Sequence, residues 1–257
     1  LRDYLLERYP ALDVKLARLS APLPTPLSVE DLADFKAKEL RGRGQFDVGY
    51  TGFLDNSGLR GTEIICEAAA RLPEIDFHVV GGTPEMVTYW SGRVKSSNIH
   101  FYGHQNPAKM AGYLGALDVV LAPLQLQISA RAPIGANMSP LKLPQYFAYG
   151  CSILASNVPA HYETLEHERT ALICEANDVD AWVGAIERLR DDPDLRRQLG
   201  ENARREYHSG YTPEFRVQTI LEGMPGHENA GSSLAREQAS PADASVPLDP
   251  SSQNRGQ

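Results

Sequence analysis

The chain has 257 residues, of which 42% are hydrophobic and 23% charged, the composition of an ordinary globular protein with enough apolar side chains for a sizeable core. A formal net charge of -8 argues against a sequence-independent nucleic-acid surface, which needs clustered Lys and Arg, but leaves room for a local phosphate site. No apolar run is long enough to span a bilayer, and the opening LRDYLLERYP lacks the charged-then-apolar order of a signal peptide.

From Leu1 to about Gln45 two modest helical patterns, Leu1 to Arg8 and Val29 to Arg41, flank the proline-rich APLPTPL, so residues 1–45 read as a connecting arm. From Phe46 onward short β-branched runs alternate with amphipathic stretches. FDVGYTGF is followed by a helix from Gly61 to Arg71, FHVV by a helix from Pro84 to Val94, and NIHFYG by a helix from Pro107 to Leu117. Next come DVVLAP, a helix from Ser139 to Tyr149, CSILAS, a short helix from His161 to Leu165 and TALIC. Helices from Val179 to Arg190, Asp194 to His208 and Thr212 to Met224 close the series. Strict alternation predicts an α/β fold, a parallel sheet with helices on both faces, over residues 46–224. Residues 225–257, rich in Ser, Ala, Pro, Asp and Gly, have little to bury and read as a disordered tail. Cys66, Cys151 and Cys174 stand in apolar stretches without ligand-type spacing, which predicts buried thiols in a cytoplasmic protein, with no disulfide framework and no zinc site. The first residue is Leu1 rather than a methionine, so a fragment is expected.

Ligands of an open parallel sheet bind beyond the carboxyl ends of its strands, which directs attention to four loops. In the first, Gly52 to Gly61, small residues let a ligand approach the backbone, and Arg60 can hold a diphosphate and stabilise charge on a departing nucleotide. A solvated surface arginine reads this loop equally well. The second, Gly81-Gly82-Thr83 before Pro84, is an incomplete dinucleotide fingerprint. In the third, Gly103-His104-Gln105, the backbone can meet a base edge, and the imidazole carries less weight. The fourth is NMSPLKLPQYFAYGCSILAS. Ser139 and Pro140 signal a helix start whose free amides suit phosphate, and Lys142 adds a cation one turn in. The long preceding loop QLQISARAPIGAN favours a site over a merely capped core helix. Asp178 and Asp180, and Asp191, Asp192 and Asp194, read as helix caps and solvated turns, not as metal ligands.

The ordered blocks GYTGFL with RG, FHVVGGTPE, NIHFYGHQNP, YLGALDVVLAP, SPLKLPQYFAYGCSILAS, Glu163 before ERTALIC, and DDPDLRRQLGENARREY resemble the C-terminal domain of the group 1, family-four retaining glycosyltransferases. The resemblance, from about Val48 to Leu221, implies one Rossmann-like half of a GT-B architecture, the half that binds a nucleotide diphosphate sugar. It also implies an N-terminal acceptor-binding domain beyond this chain and no cofactor or metal. On the family pattern Arg60 contacts the donor diphosphate, while Phe53 stands where a second basic residue is common. Gly52 lies in the same turn, Gly103, His104 and Gln105 match the base-contacting loop, and Ser139, Pro140 and Leu141 match the amides near the phosphates or sugar. The family's paired glutamates fall on Asn137, near the sugar, and Gln145, at the ribose diol. A Gln amide offers one acceptor and one donor side where a carboxylate accepts twice, so ribose binding weakens by about 1–2 kcal/mol. Pro144, inside the expected helix, is expected to distort it.

The resemblance therefore implies a hexosyltransferase-type enzyme that retains anomeric configuration, with Arg60, Asn137 and Gln145 at the reacting end and no activity without the acceptor domain. A non-catalytic nucleotide-binding partner subunit, motivated by Asn137 and Gln145, is the alternative. A sugar-nucleotide epimerase of the same architecture is a third, fitted less well by SPLK and DDPDLRRQLG.

Overall fold

The computed structural model describes residues 6–11, 17–22, 24–25, 27–128, 133–134 and 141–222, with only the backbone at 127–128 and 133–134. The expected tail 225–257 and the candidate residues Asn137, Ser139 and Pro140 lie outside them. Six strands, β1 (Asp47–Thr51), β2 (Asp76–Val80), β3 (Ile99–Gly103), β4 (Val119–Ala122), β7 (Ile153–Ser156) and β8 (Leu172–Cys174), form one sheet in the order β3-β2-β1-β4-β7-β8. Every pairing in it is parallel. Two residues each of β5 (Gln127–Ile128) and β6 (Pro133–Ile134) form a separate antiparallel ribbon inside the long loop, an element that the sequence reading left as irregular.

Strands β1, β2, β4 and β7 are buried on both faces, while the edge strands β3 and β8 are partly exposed. On one face Val48, Tyr50, Phe77, Val79, Val119 and Leu121 pack beneath α2 (Thr62–Arg71), α3 (Pro84–Ser91) and α7 (Val179–Asp191), from which Ile65, Trp90, Trp182 and Ile186 enter the core. On the other, Val120, Ala122, Ile153 and Ala155 meet Leu114 of α4 (Met110–Ala116), Tyr146 and Phe147 of α5 (Lys142–Tyr149), and Ala203 and Tyr207 of α8 (Pro193–Gly210). Each such large side chain contributes about 1.5–3 kcal/mol by leaving water. A short α6 (Pro159–Tyr162) and a terminal α9 (Pro213–Glu222) complete this part.

Local signals set several helix ends. Thr83 accepts from the amide of Met86, Asp178 from Ala181 and Asp192 from Leu195, each capping the helix that follows. Asp180 pairs instead with Arg71, and Asp191 with Arg190. Among the described residues no group of three His, Cys, Asp or Glu side chains is placed to hold a metal ion, and no helix is long and apolar enough to cross a membrane.

Two expectations need correction. The helix expected from Ser139 begins at Lys142, with Leu141 at its cap position and no side-chain cap there. Pro144 is then the third residue of α5, where a backbone N–H has no partner within the helix, so it does not distort it. The arm keeps the second of its two expected helices. Its helix α1 (Val29–Glu39) lies against α4, with Phe35 edge-on to Tyr113 at 5.1 Å between ring centroids, and Lys36 paired with Asp47 at 3.1 Å.

Candidate functional site

Chain connection reverses between β1 and β4, which opens a crevice beyond their carboxyl ends. The loop after β1 forms one wall. Gly61 ends it in the left-handed conformation, at φ 67°, and a Cβ there would lie 1.9 Å from the carbonyl oxygen of Pro123. The Leu59 carbonyl accepts from the amide of Gln125 at 2.8 Å, so this loop is stapled to the one after β4. Arg60 is held between them with its side chain 28% exposed. Its Nε is buried without a hydrogen-bond partner and stands 3.8 Å from Asp55 Oδ2, an ionic contact too long for a hydrogen bond.

Helix α5 supplies the facing wall. Tyr146 Oη accepts from the Thr51 amide at 3.3 Å and lies 3.1 Å from Thr51 Oγ1, which ties the helix to the end of β1. One turn earlier, Lys142 places its ammonium 3.8 Å from the centroid of the Tyr50 ring. A Cβ on Gly52 would stand 3.0 Å from that nitrogen, so the glycine makes the space that Lys142 occupies. Tyr50 Oη donates to the Phe53 carbonyl at 2.9 Å, fixing the turn beneath the lysine. The Phe53 ring, where a second cation was sought, is exposed, as is Leu141 at the head of α5. Burial first, and then the Arg60 guanidinium, push the Lys142 ammonium down to about 7.

His161 of α6, a residue that sequence reasoning placed only within a short helix, closes the floor. It is buried, and its Nδ1 stands 2.9 Å from the Ser156 carbonyl, which can only accept, so Nδ1 carries the proton. Burial, opposed by the Ser156 bond and reinforced by Lys142, lowers the imidazole to about 4. The ring is therefore neutral at pH 7. Gln125, also not anticipated, donates through Nε2 to the carbonyls of Pro123 and Ala176 while its Oε1 is buried and unpartnered. Thr62 Oγ1, beside Gly61, is likewise buried without a partner. Beyond β7 and β4, the strand-end rule that led to Arg60 leads equally to His161 and Gln125, but neither belongs to a motif.

The structure thus brings Gly52, Phe53, Arg60, Leu141 and Lys142 to one crevice. Gln145, one turn after Lys142, is partly buried. The Gly103-His104-Gln105 turn lies along the same sheet edge beyond β2: the Gly103 carbonyl accepts from Gly81 at 2.8 Å, and a Cβ on Gly81 would meet the Gly52 carbonyl at 1.9 Å. There His104 is exposed and Gln105 Nε2 donates to the Tyr102 carbonyl at 2.7 Å. Chemically, the crevice offers two cations from different elements, and among the described residues its only carboxylate beside them is that of Asp55. That arrangement suits an anionic ligand.

Solved structures with the same fold include sucrose-phosphate synthase from Thermosynechococcus elongatus, at a TM-score of 0.64 and 22% identity over 92% of this chain and 56% of that one. HepE of Anabaena, solved in complex with UDP-glucose, matches at a TM-score of 0.62 and 17% identity over 77% of this chain and 53% of its own. The C-terminal domain of a glycosyl transferase group 1 family protein, LpcC from Francisella tularensis, matches at 0.58 and 18% identity over 73% of this chain and 96% of that domain. The chain spans little more than half the length of the first two. No curated protein matches it in sequence. Residues 60–222 match the glycosyl transferase-like family, an extent that runs from Arg60 through α5 and α6 to the end of the described helices and covers well over half the chain. On that match the chain belongs to the glycosyl transferase-like family.

Proposed function

We propose that the chain is the donor-binding half of a retaining group 1, family-four glycosyltransferase of GT-B architecture. It takes a nucleotide diphosphate sugar and passes the hexosyl group to an acceptor held by an N-terminal domain outside this chain. The observation that carries the reading is the pair of cations, Arg60 and Lys142, set in the crevice between β1 and β4, with Asp55 beside Arg60 alone. Both can face the diphosphate, and their charge favours the state in which the sugar's anomeric C–O bond breaks and the electron pair departs on phosphate. Gln145 holds the ribose, and Asn137 meets the sugar. The turn at Gly103, His104 and Gln105 contacts the base. The backbone at Ser139, Pro140 and Leu141 approaches the phosphates, with the N–H groups of Ser139 and Leu141 as its donors. Solved relatives support a nucleotide-sugar donor: HepE was crystallised with UDP, with UDP and glucose, and with UDP-glucose. The reading requires no metal or cofactor, places the protein in the cytoplasm with its three cysteines reduced, and leaves this half alone without transferase activity.

The test is donor turnover by the protein complete with its acceptor domain. Arg60→Ala is expected to lower kcat/KM at least about 100-fold, the scale of losing one preorganised charge at a developing oxyanion. Unchanged kcat removes Arg60 from the mechanism. A second reading, a nucleotide-binding partner subunit without activity, is favoured by the amide rather than carboxylate at Gln145. Nucleotide binding by this chain with no sugar transferred or hydrolysed by the complete protein decides for it.

A further inference from the structure

We propose that the crevice takes up a proton together with its diphosphate, the proton going to Lys142, so that donor affinity falls as the pH rises through neutrality. The proposal rests on the donor-binding reading above.

The geometry places two cations where one of them can relinquish its charge. Arg60 cannot, because a guanidinium stays protonated at any pH a protein survives. Lys142 can. Of the described residues, the charged or titratable groups set against it are Arg60 from the loop after β1, Tyr50 from β1 and His161 from α6, with Tyr146 one turn further along its own helix. Asp55 lies with Arg60 at 3.8 Å. Burial holds the Tyr50 and Tyr146 phenols above their ordinary range, so they stay neutral, and the His161 ring is neutral with Nδ1–H committed to Ser156. No described carboxylate neutralises the ammonium. What steadies it is the face of the Tyr50 ring at 3.8 Å and the space left by Gly52.

Burial and Arg60 therefore bring Lys142 of the free chain to about 7, where half the molecules carry the charge at neutral pH. The diphosphate of a nucleotide sugar is a dianion that does not titrate near neutrality. Set between the two cations, it replaces their repulsion by attraction and supplies Lys142 with acceptors, of which it has none among the described residues, and this holds the lysine protonated. Binding at pH 7 then takes up about half a proton and at pH 8 about 0.9, so affinity declines about fivefold from pH 7 to pH 8 and about ninefold over the next unit.

The experiment is calorimetric titration of the full chain with UDP-glucose, ADP-glucose and GDP-mannose between pH 6 and 9, in buffers of unlike ionisation enthalpy. Intact nucleotide sugars are used because a terminal phosphate itself titrates near about 6. For the sugar that binds, the buffer dependence is expected to report the uptake given above. Lys142→Arg should bind with no uptake and with affinity level across the range, and Lys142→Met should bind at least about tenfold more weakly, also without uptake. Binding by the unsubstituted chain whose enthalpy is independent of buffer throughout overturns the proposal and leaves the donor reading standing. So does a midpoint near the ordinary lysine value when the Lys142 ε-carbon resonance of the free protein is titrated. Failure of all three sugars to bind at millimolar concentration removes the donor reading itself, and the proposal with it.

Discussion

Lys142 stands where a charge weakens the free fold. Its proton affinity is lower in the folded than in the unfolded chain, about 7 against the ordinary 10.5, so between those values the unfolded state binds more protons. Stability of the unliganded protein therefore rises with pH across that window and is lowest where the lysine is fully charged. Lys142→Met keeps the stem over Tyr50 and removes the charge, and should raise the melting temperature at pH 7 by about 2–4 °C, the shift that 1 kcal/mol produces in a chain of this size. A lower melting temperature in a thermal scan would contradict this. Gly61 makes the opposite case. Its left-handed backbone, together with the Pro123 carbonyl where a Cβ would sit, leaves no room for a side chain. Gly61→Ala should cost about 2 kcal/mol or more, read as a fall in the urea midpoint, because the loop carrying Arg60 must shift. An unchanged midpoint would show that the staple between the two loops is slack. Arg60 itself was readable as a cation at a strand end, but the bond by which Gln125 holds its loop to the one after β4 was not.

The elements around β1 show a different economy. Half of one sheet face, over β1 to β3, is polar: Asp47 lies 2.9 Å from His78 Nε2, His78 Nδ1 lies 2.9 Å from Tyr102 Oη, and Lys36 of α1 reaches the second oxygen of Asp47. Helix α1 has no fully buried residue, so its place on the sheet depends on this network and on Phe35. Burial acts to raise the Asp47 carboxyl, but hydrogen bonds and charge from His78 and Lys36 outweigh it and leave it below its ordinary 3.8. A depressed carboxylate contributes stability that is present above the ordinary value and lost as pH falls through the folded one. Asp47→Asn should therefore cost about 3 kcal/mol at pH 7, the scale of breaking a buried pair, and flatten the acid limb of the stability curve. The amides of α1 should exchange faster in hydrogen-exchange measurements, and protection equal to that of the unsubstituted chain would show that α1 is held by other means. The register of β2 against β1, which pairs Gly49 with His78, makes this network, and nothing in the local pattern of either strand announces it.

At the scale of the molecule, alternation of strand and helix patterns sufficed for a parallel sheet covered on both faces, because burial on two sides leaves continuous apolar runs that are visible without any knowledge of pairing. The helix start at Asp178 was equally legible, since a cap bonds an amide only two or three residues away, and Thr83 and Asp192, not singled out as caps, act in the same way. Other features depended on distant parts of the chain: the start of α5 at Lys142, the harmless position of Pro144, and the docking of α1 on a polar sheet face. So did the character of the crevice. Composition and order could supply Arg60 and Lys142 as two candidate cations, yet only the strand order β3-β2-β1-β4-β7-β8 carries their loops to one edge, beside Tyr50 and a neutral His161. The amino-acid sequence by itself determined which segments become strands and helices, because those choices are made by neighbours along the chain. Tertiary structure alone decided what the lysine's charge is worth, because desolvation and Coulomb repulsion depend on which groups the fold brings together in space.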